Sequence, residues 1–181
     1  MRVISGEFRG RKLREPADDS VRPTTDMVKE SVFNIIQFDI EGRQALDLFS
    51  GTGQLGIEAL SRGAASVVFV DSSAESVKLT AENIERAGIT SGATVLRADA
   101  LDFLRRGKRF DLIFLDPPYE GKLLDSSLEA INQFDILKDN GIIVCESKLD
   151  KELPELSPPY EKYREYRYGK IKITLFVRKP E

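Results

Sequence analysis

The sequence predicts an α/β fold in which helices cover both faces of a largely parallel sheet. Two observations predict it. Strand-like apolar runs alternate with helix-like amphipathic segments between residues 45 and 146, and most of the runs end at a glycine turn or an acidic residue. In the tail, two strand-like runs follow one another without a helix between them, which adds antiparallel strands at one edge. A chain of 181 residues with 41% hydrophobic content has the size and composition of one domain.

The segments before the alternating region have their own signals. Residues 2–13 alternate around two glycines, as in a basic β-hairpin or a short strand pair. Residues 16–24 contain two prolines and several Asp and Ser residues, which predicts a loop. Thr25–Phe38 predicts a helix because its apolar side chains recur on one face, and Thr and Asp residues at its start could cap it.

The strands and helices of the alternating region follow from residue type and spacing. The predicted strands are Ala45–Phe49, Ser66–Val70, Thr94–Leu96, Phe110–Leu115 and Gly141–Glu146. The predicted helices are Leu55–Ser61, Ala74–Ala87, a short helix after Asp99, and Leu123–Phe134. The tail strands are Tyr160–Tyr168 and Lys170–Arg178, joined near Gly169.

The residue counts exclude several classes of site. The chain has no histidine, which excludes Ser-His-Asp catalysis and His-ligated metals, and we expect no metal. Its one cysteine, Cys145, lies in an apolar stretch and is expected to fill the core. A single cysteine excludes an internal disulfide and fits a reducing cytoplasm. The sequence has neither an apolar run long enough to cross a membrane nor a signal-peptide pattern, so we expect a cytoplasmic protein without a membrane partner.

The charges are distributed unevenly along the chain. The formal net charge is −3, but the first fourteen residues carry five basic side chains against one acidic one. The last twenty-one carry seven basic side chains against three acidic ones, and the acidic excess lies in the middle. The basic ends therefore indicate a surface that could bind a polyanion such as RNA.

The tetrapeptide Asp116-Pro117-Pro118-Tyr119 directly follows the apolar run Phe110–Leu115. Neither proline has an N–H to donate, so the strand ladder ends there, and their fixed φ angles make the loop stiff. Open α/β sheets bind ligands at the carboxyl ends of their strands. A carboxylate beside an aromatic ring at this edge suits the binding of an exocyclic amino group on a flat heterocycle. The alternative is a strand that is merely ended by prolines.

A glycine-rich turn, Asp47–Gly56, follows the first sheet strand and precedes a helix. Gly51, Gly53 and Gly56 match the fingerprint of dinucleotide sites, and Asp71 comes about twenty residues later, where a ribose-binding acid is expected. Small residues let a ligand approach the backbone closely, and a helix N-terminus favours negative charge. The turn therefore predicts a nucleoside cofactor, with a glycine turn used only for packing as the alternative.

Three features favour S-adenosylmethionine over a nicotinamide as that cofactor. Asp47 lies where a methionine ammonium group could bind and where a pyrophosphate would be repelled. Arg22 and Thr24 could supply cationic and hydroxyl contacts to the amino-acid end. Asp99, followed by Ala100, could accept a hydrogen bond from the adenine amino group. Asp99 could also cap the next helix, and the two roles can coexist.

These motifs resemble those of class I S-adenosylmethionine-dependent methyltransferases that modify an amino nitrogen. Three further segments, Arg2–Leu13, Arg22–Asn34 and Gly56–Ala64, resemble the RsmD family, bacterial methyltransferases of guanine N2 in small-subunit (16S) ribosomal RNA. The resemblance covers essentially the whole chain. Gln54, where a small residue is expected, departs from it and affects the shape of the cofactor pocket.

The resemblance implies a doubly wound, Rossmann-like, seven-stranded sheet within a single methyltransferase domain over residues 1–181. It implies an N-terminal β-hairpin extension, S-adenosylmethionine as cofactor, and 16S ribosomal RNA in an assembled 30S particle as partner. The residues expected to contact the cofactor are Arg22, Thr24, Asp47, Gly51, Gly53, Asp71, Ser72, Asp99, Ala100 and Asp116.

The residues themselves indicate a mechanism. An exocyclic amino nitrogen is a poor nucleophile because its lone pair is delocalised into the base. Asp116 and the backbone carbonyl of Pro117 could accept its two N–H groups, while Tyr119 stacks on a base turned out of its helix. The N-terminal extension, residues 1–15, is the candidate for RNA docking. Its basic residues are Arg2, Arg9, Arg11, Lys12 and Arg14.

Three alternatives stay open at this point. The same tetrapeptide also serves adenine-N6 methyltransferases of DNA or RNA. The glycine pattern by itself would suit a nicotinamide-dependent oxidoreductase. A non-catalytic RNA-binding protein could keep the same fold, although Asp71 and Asp116 argue against it.

Overall fold

Seven strands form one sheet in the computed structural model, which describes residues 1–18 and 24–181. The strands are β1 (Gln44–Asp47), β2 (Ser66–Asp71), β3 (Ala93–Arg97), β4 (Phe110–Leu115), β5 (Leu137–Lys148), β6 (Tyr160–Tyr168) and β7 (Ile171–Arg178). The helices of the described residues are α1 (Asp26–Ile35), α2 (Gln54–Ser61), α3 (Ala74–Ala87), α4 (Ala100–Arg105) and α5 (Leu123–Phe134). No helix within these two ranges is both long and apolar enough to cross a membrane.

The strand order is β3-β2-β1-β4-β5-β7-β6. The first five strands are parallel, and β7 runs antiparallel to both β5 and β6. The chain proceeds outward from β1 through β2 and β3, and then returns to β4 on the other side of β1. The carboxyl ends of β1 and β4 therefore flank the point where the winding reverses, which is where such sheets bind ligands. The predicted α/β class and mostly parallel, doubly wound sheet are confirmed.

Most element boundaries lie close to the prediction, and two differ. The first helix ends at Ile35 rather than Phe38, and the Thr25 hydroxyl accepts from the Val28 N–H as its N-cap. Strand β5 begins at Leu137 rather than at Gly141. The prediction started too late because residues 138–140 are polar and do not look like part of an apolar strand. Asn140 has a φ of 60°, at a register irregularity between β4 and β5.

The core lies on both faces of the sheet, and alternate residues of each strand belong to opposite faces. In β4, Leu112 and Phe114 pack with α1 and α2, whereas Ile113 and Leu115 pack with α4 and α5. All four are at most 1% exposed. The sheet that carries the strand ends is therefore buried on both sides, which holds those ends in fixed relative positions.

The N-terminal extension folds as a loop docked on α2 rather than as a regular strand pair. Within residues 1–18 the hairpin-like reversal is closed by one antiparallel bridge, between Arg2 and Lys12. The Ile4 and Ser5 N–H groups donate to the carboxylate of Glu58, at 2.9 and 3.0 Å, instead of to a partner strand. Side chains of a distant helix thus satisfy the backbone donors that a hairpin ladder would have used.

Candidate active site

A cavity of about 460 Å³ lies at the point where the winding of the sheet reverses. We call it the first cavity. Its size is in the range of small-molecule sites. Nine of the residues predicted from the sequence line it: Thr24, Gly51, Asp71, Ser72, Asp99, Ala100, Asp116, Pro117 and Tyr119. Fold and sequence prediction therefore agree on the location of a ligand site.

The glycine turn forms one wall of this cavity. Gly53, at φ 80°, is the N-cap residue of α2, and a Cβ atom there would lie 3.0 Å from the methyl group of Thr80. The Thr80 hydroxyl donates to the Gly51 carbonyl at 2.9 Å. A left-handed conformation and a close neighbour both require glycine at this position. The turn is thus fixed against α3 while its other side lines the cavity.

Two acids at strand ends line the same cavity and also hold its backbone. One Asp71 oxygen accepts from the Gly51 N–H at 3.0 Å, and the other accepts from the Ser73 N–H at 2.9 Å. Asp99 caps α4 by accepting from the Asp102 N–H at 3.0 Å. Each carboxylate has about four acceptor positions, so both acids keep capacity for a ligand. The capping role of Asp99 therefore leaves acceptor positions for the ligand role that the sequence predicts.

Two predicted cofactor residues, Asp47 and Gly53, lie outside the lining of this cavity. The Asp47 side chain is 2% exposed and accepts from the Gly56 N–H in the first turn of α2 at 3.0 Å. Burial raises the pKa of Asp47 to about 7. In this structure the Asp47 carboxylate contacts α2, and the ligand contact predicted for it stays a prediction. Arg22, also predicted as a cofactor residue, lies outside the described residues.

Asp116 belongs to a cluster of four side chains, which we call the acid cluster: Thr24, Asp116, Tyr119 and Glu146. The Thr24 hydroxyl oxygen lies 2.9 Å from an Asp116 oxygen and 3.0 Å from a Glu146 oxygen. The Tyr119 hydroxyl donates to the other Glu146 oxygen at 2.8 Å. The tetrapeptide after β4 is thereby joined to the end of β5.

The Thr24 hydroxyl has one hydrogen, so it cannot donate to both carboxyl groups. Both contacts are satisfied when one carboxyl group is protonated and donates to Thr24, which then donates to the other. Burial raises the pKa of Asp116 well above its ordinary value, and the negative charge of Glu146 raises it further. One carboxylic acid and one carboxylate joined through the Thr24 hydroxyl would satisfy both contacts.

Glu146 is a residue of the acid cluster that no sequence motif predicts. It ends the apolar run Gly141–Cys145 in the same way that Asp116 ends the run of β4. Leu115 pairs with Cys145 in the parallel ladder, so the next residues, Asp116 and Glu146, emerge side by side. An acid at the end of each buried parallel strand was the signal that could have identified it.

A second cavity, of about 420 Å³, lies on the other side of Pro117, Pro118 and Tyr119. Glu146 and Leu124 also line it. The tetrapeptide therefore forms a wall shared by two cavities. Such a wall suits a reaction in which a group passes from a ligand on one side to a ligand on the other.

The predicted RNA-binding residues Arg2, Arg9, Arg11, Lys12 and Arg14 are all exposed. Arg14 forms an ion pair with Glu82 at 2.6 Å. Next to it, residues 14–18 and Gly51 border a small cavity on the outer side of the glycine turn. Arg14 of the extension thus lies beside the glycine turn that lines the first cavity.

Comparison with known proteins identifies the family. A family model described as conserved hypothetical protein 95 matches residues 1–177. Ribosomal RNA small subunit methyltransferase D of Escherichia coli is 33% identical over all of this chain and 91% of that protein. The Haemophilus influenzae protein of the same name is 36% identical over 84% of this chain and 81% of its own length. The chain belongs to the RsmD family.

Other relatives extend the RsmD family assignment. The Bacillus subtilis protein YlbH is 40% identical over 99% of this chain and its whole length. The solved structure of yhhF from Escherichia coli has a TM-score of 0.88 and 31% identity, covering 100% of this chain and 99% of that one. That of TTHA0928 from Thermus thermophilus has a TM-score of 0.82 and 29% identity, with 97% and 98% covered. The fold is that of class I methyltransferases.

Proposed function

We propose that this RsmD-family chain transfers a methyl group from S-adenosylmethionine to the exocyclic N2 of a guanine in 16S ribosomal RNA, within an assembled small subunit. The observation that carries the proposal is the wall shared by the two cavities. Pro117, Pro118 and Tyr119 line both the first cavity, which strand-end acids border, and the second cavity, while Asp116 lines the first. The names of the Escherichia coli and Haemophilus influenzae relatives support ribosomal RNA as the substrate.

The residues of the first cavity fit S-adenosylmethionine. Asp71 offers acceptors to ribose hydroxyl groups, and Asp99 offers one to an adenine amino group. The buried side-chain oxygen of Gln54 lacks a hydrogen-bond partner among residues 1–18 and 24–181, and Gln54 lines the cavity. The methionine ammonium group would satisfy an acceptor of this kind. Gln54, the departure from the family pattern, is therefore compatible with the cofactor.

Bound S-adenosylmethionine supplies an electrophilic methyl group, whose bond to sulfur breaks with both electrons remaining on sulfur. Asp116 and the Pro117 carbonyl accept the two N–H groups of the amino nitrogen and so orient its lone pair toward the methyl carbon. Tyr119 stacks on the base, a contact worth about 1–3 kcal/mol. The new N–C bond leaves a proton on nitrogen, which Asp116 or water accepts. Positioning of the two reactants supplies much of the rate.

Methyl transfer from labelled S-adenosylmethionine to small subunits from cells that lack this protein tests the proposal, after digestion of the RNA to nucleosides. Label in N2-methylguanosine is the expected result, with protein-free 16S RNA as a weaker substrate. Label in N6-methyladenosine would show that the methylated base is adenine and not guanine. If the protein binds S-adenosylhomocysteine but the RNA carries no label, ribosomal RNA is refuted as the substrate.

A further inference from the structure

The antiparallel side of the sheet presents a row of side chains on one of its two faces. Lys148 at the end of β5 pairs with Ile171 of β7, and Ile171 pairs with Tyr168 of β6, so the three side chains share a face. Arg164 shares it as well, because its partner Leu175 lies four residues after Ile171 in β7. Leu175 packs in the core with residues of α1 and α2, which identifies the face.

The tyrosines at this edge of the sheet do not all belong to the core. Tyr160 is buried, whereas Tyr163 is 56% exposed. The Arg164 guanidinium carbon lies 5.3 Å from the centre of the Tyr163 ring, in a cation–π contact. Sites for single-stranded nucleic acid combine such rings with cations, since the ring stacks on a base while the cations bind the backbone.

Three exposed cations at this edge, Lys148, Arg164 and Lys170, form no ion pair with residues 1–18 or 24–181. We call them the basic edge. The Leu149 N–H donates to the Lys170 carbonyl at 2.9 Å, which places the turn between β6 and β7 beside the end of β5. Neighbouring cations of the tail are already paired, namely Lys162 and Lys172 with Glu165, and Lys179 with Glu161. The basic edge therefore keeps charge for a ligand.

Acidic residues limit this surface on one side. Asp150 and Glu152 follow Lys148 in the chain and line the second cavity. Lys151, between them, pairs with Asp125 at 2.8 Å. The rim of the second cavity beyond Lys148 is therefore unfavourable for phosphate. The surface that suits phosphate runs from Lys148 across the β6–β7 turn and along β6.

The basic edge and the N-terminal extension lie on opposite sides of Asp116. The extension docks on α2, which packs against β1 and β2, whereas the basic edge belongs to β5, β6 and the turn after β6. Strand β4 lies between β1 and β5, and Asp116 directly follows it. Val3 and Leu13 of the extension also pack on the same face of the sheet as Leu175. A strand of RNA that contacts both basic segments would therefore pass the end of β4.

We infer that the basic edge binds phosphate groups of the substrate RNA, as a second contact surface besides the N-terminal extension. The inference rests on the proposed function, since it takes the substrate of that reaction to be RNA. Arg164 and the β6–β7 turn are about 13 Å apart along β6, so the three cations suit successive phosphates of an extended strand rather than one small anion. Contacts on both sides of Asp116 hold the RNA across the reaction centre.

The triple variant Lys148→Gln, Arg164→Gln, Lys170→Gln tests this inference. Its affinity for protein-free 16S RNA and for small subunits is measured at a series of salt concentrations, beside that of the wild type. Each lost phosphate contact should reduce the slope of log K against log salt by about 0.7–0.9, so we expect a reduction of about 2–3 in all.

A second triple variant, Arg86→Gln, Arg105→Gln, Lys108→Gln, is the matched control. It removes the same charge from exposed positions on α3, on α4 and in the loop before β4, and it should keep the wild-type slope.

Chemical acetylation of the wild-type protein gives a measurement that needs no variant. Lys148 and Lys170 should be acetylated at least fivefold more slowly when 16S RNA is bound, because bound phosphates cover them. Lys108, on the opposite side of the domain from the basic edge in the strand order, should react at the same rate with and without RNA.

The outcomes separate this inference from the proposed function. An unchanged slope in a folded triple variant would overturn the inference, and so would equal acetylation of Lys148 and Lys170 with and without RNA. A loss of affinity for small subunits without a loss for protein-free RNA would assign the basic edge to a ribosomal protein instead. Failure of the proposed function would appear in the wild-type protein, which would form no N2-methylguanosine on small subunits. Thermal unfolding checks that the triple variant folds, and if it does not, the acetylation result decides.

Discussion

Asp116 and Glu146 follow directly paired residues of β4 and β5, and the Thr24 hydroxyl lies within 3.0 Å of both carboxyl groups. Two buried acids at this spacing would repel each other if both were ionised. When one of the two carboxyl groups keeps a proton, the repulsion is absent and the Thr24 hydroxyl can form a hydrogen bond with each group. Thr24, the residue before the N-cap of α1, thereby joins the two acids of the acid cluster.

Replacement of Thr24 by Val is expected to slow methyl transfer to small subunits about tenfold or more, because the two acids lose the hydroxyl that joins them. The variant should also lose about 1–3 kcal/mol in free energy of unfolding, since buried polar atoms are left without a partner. Thr24→Ser keeps the hydroxyl and is the matched control. Equal rates for Thr24→Val and Thr24→Ser would show that the bridge does not matter for catalysis.

Asp116→Ala is expected to reduce the rate of methyl transfer by roughly 10²–10³, by analogy with removal of one hydrogen-bonding partner of a transition state. Affinity for S-adenosylhomocysteine, measured by calorimetry, should stay near the wild-type value. Asp39→Ala, at a partly exposed acid near the amino-terminal end of β1, controls for the loss of a carboxylate. Near wild-type turnover by Asp116→Ala would exclude the proposed role.

Asp47→Asn is expected to stabilise the protein increasingly as pH rises from 3.8 toward about 7. The pKa of Asp47 is raised from 3.8 to about 7 in the folded state, so between these values folded protein keeps a proton that the unfolded chain has released. Wild-type stability therefore falls with rising pH in this window, by at most about 4 kcal/mol. Asn removes this dependence while its side-chain oxygen can still accept from the Gly56 N–H.

Urea unfolding at a series of pH values measures the difference between Asp47→Asn and the wild type. Asp39→Asn is the control, and the difference between its free energy of unfolding and that of the wild type should not grow between pH 3.8 and about 7. Parallel stability curves for wild type and Asp47→Asn would contradict the burial of an ionisable acid behind the glycine turn.

Neutralisation of Arg9, Arg11 and Lys12 to Gln is expected to weaken binding to 16S RNA and to flatten its salt dependence. Each lost phosphate contact should reduce the slope of log K against log salt by about 0.7–0.9. Arg14→Gln should change the slope less, because Glu82 already pairs with Arg14. Arg105→Gln, on α4, is the control for a loss of charge elsewhere. An unchanged slope in the triple variant would count against the N-terminal extension as the docking segment.

Glu58→Ala is expected to release the N-terminal extension from α2. Glu58 is fully buried and accepts from the Ile4 and Ser5 N–H groups and from Arg62, so its loss leaves these donors unpaired. We expect a loss of about 2–4 kcal/mol in free energy of unfolding. Hydrogen exchange of the Ile4 and Ser5 amides should become faster, whereas the exposed-pair variant Glu82→Ala should leave it unchanged.

The fold could be predicted largely from local pattern. Phe110–Leu115 and Leu123–Phe134 have the boundaries that their apolar runs predict, because strand and helix periodicities differ and both are uninterrupted there. The N-terminal extension could not be predicted in this way. Its backbone partners are Glu58 and Ser61, more than fifty residues away, and the sequence carries no local sign of such contacts.

The site could be predicted where an acid ends a strand beside a glycine or proline motif. Asp71 was found by its spacing from the glycine turn and Asp116 by the prolines that follow it, whereas neither signal applies to Glu146. The face of the sheet to which the Asp47 side chain points could also have been predicted, because side chains alternate between the two faces along a strand. Ala45 packs on the same face as α2, and Asp47, two residues later in β1, points to that face as well.

The docking of the N-terminal extension on α2 fixes its distance from the first cavity, which bears on how the proposed reaction would select one nucleotide. Glu58 and Ser61 hold the extension, and Gln54 at the start of the same helix lines the first cavity, roughly 6 Å from Glu58 along the axis. All eight residues of α2 are buried, so this short span is stiff. If the extension binds RNA as predicted, that RNA is held at a fixed distance from the first cavity. Under the proposed function, distance along the folded ribosomal RNA could then select the nucleotide without contacts to the bases that flank it.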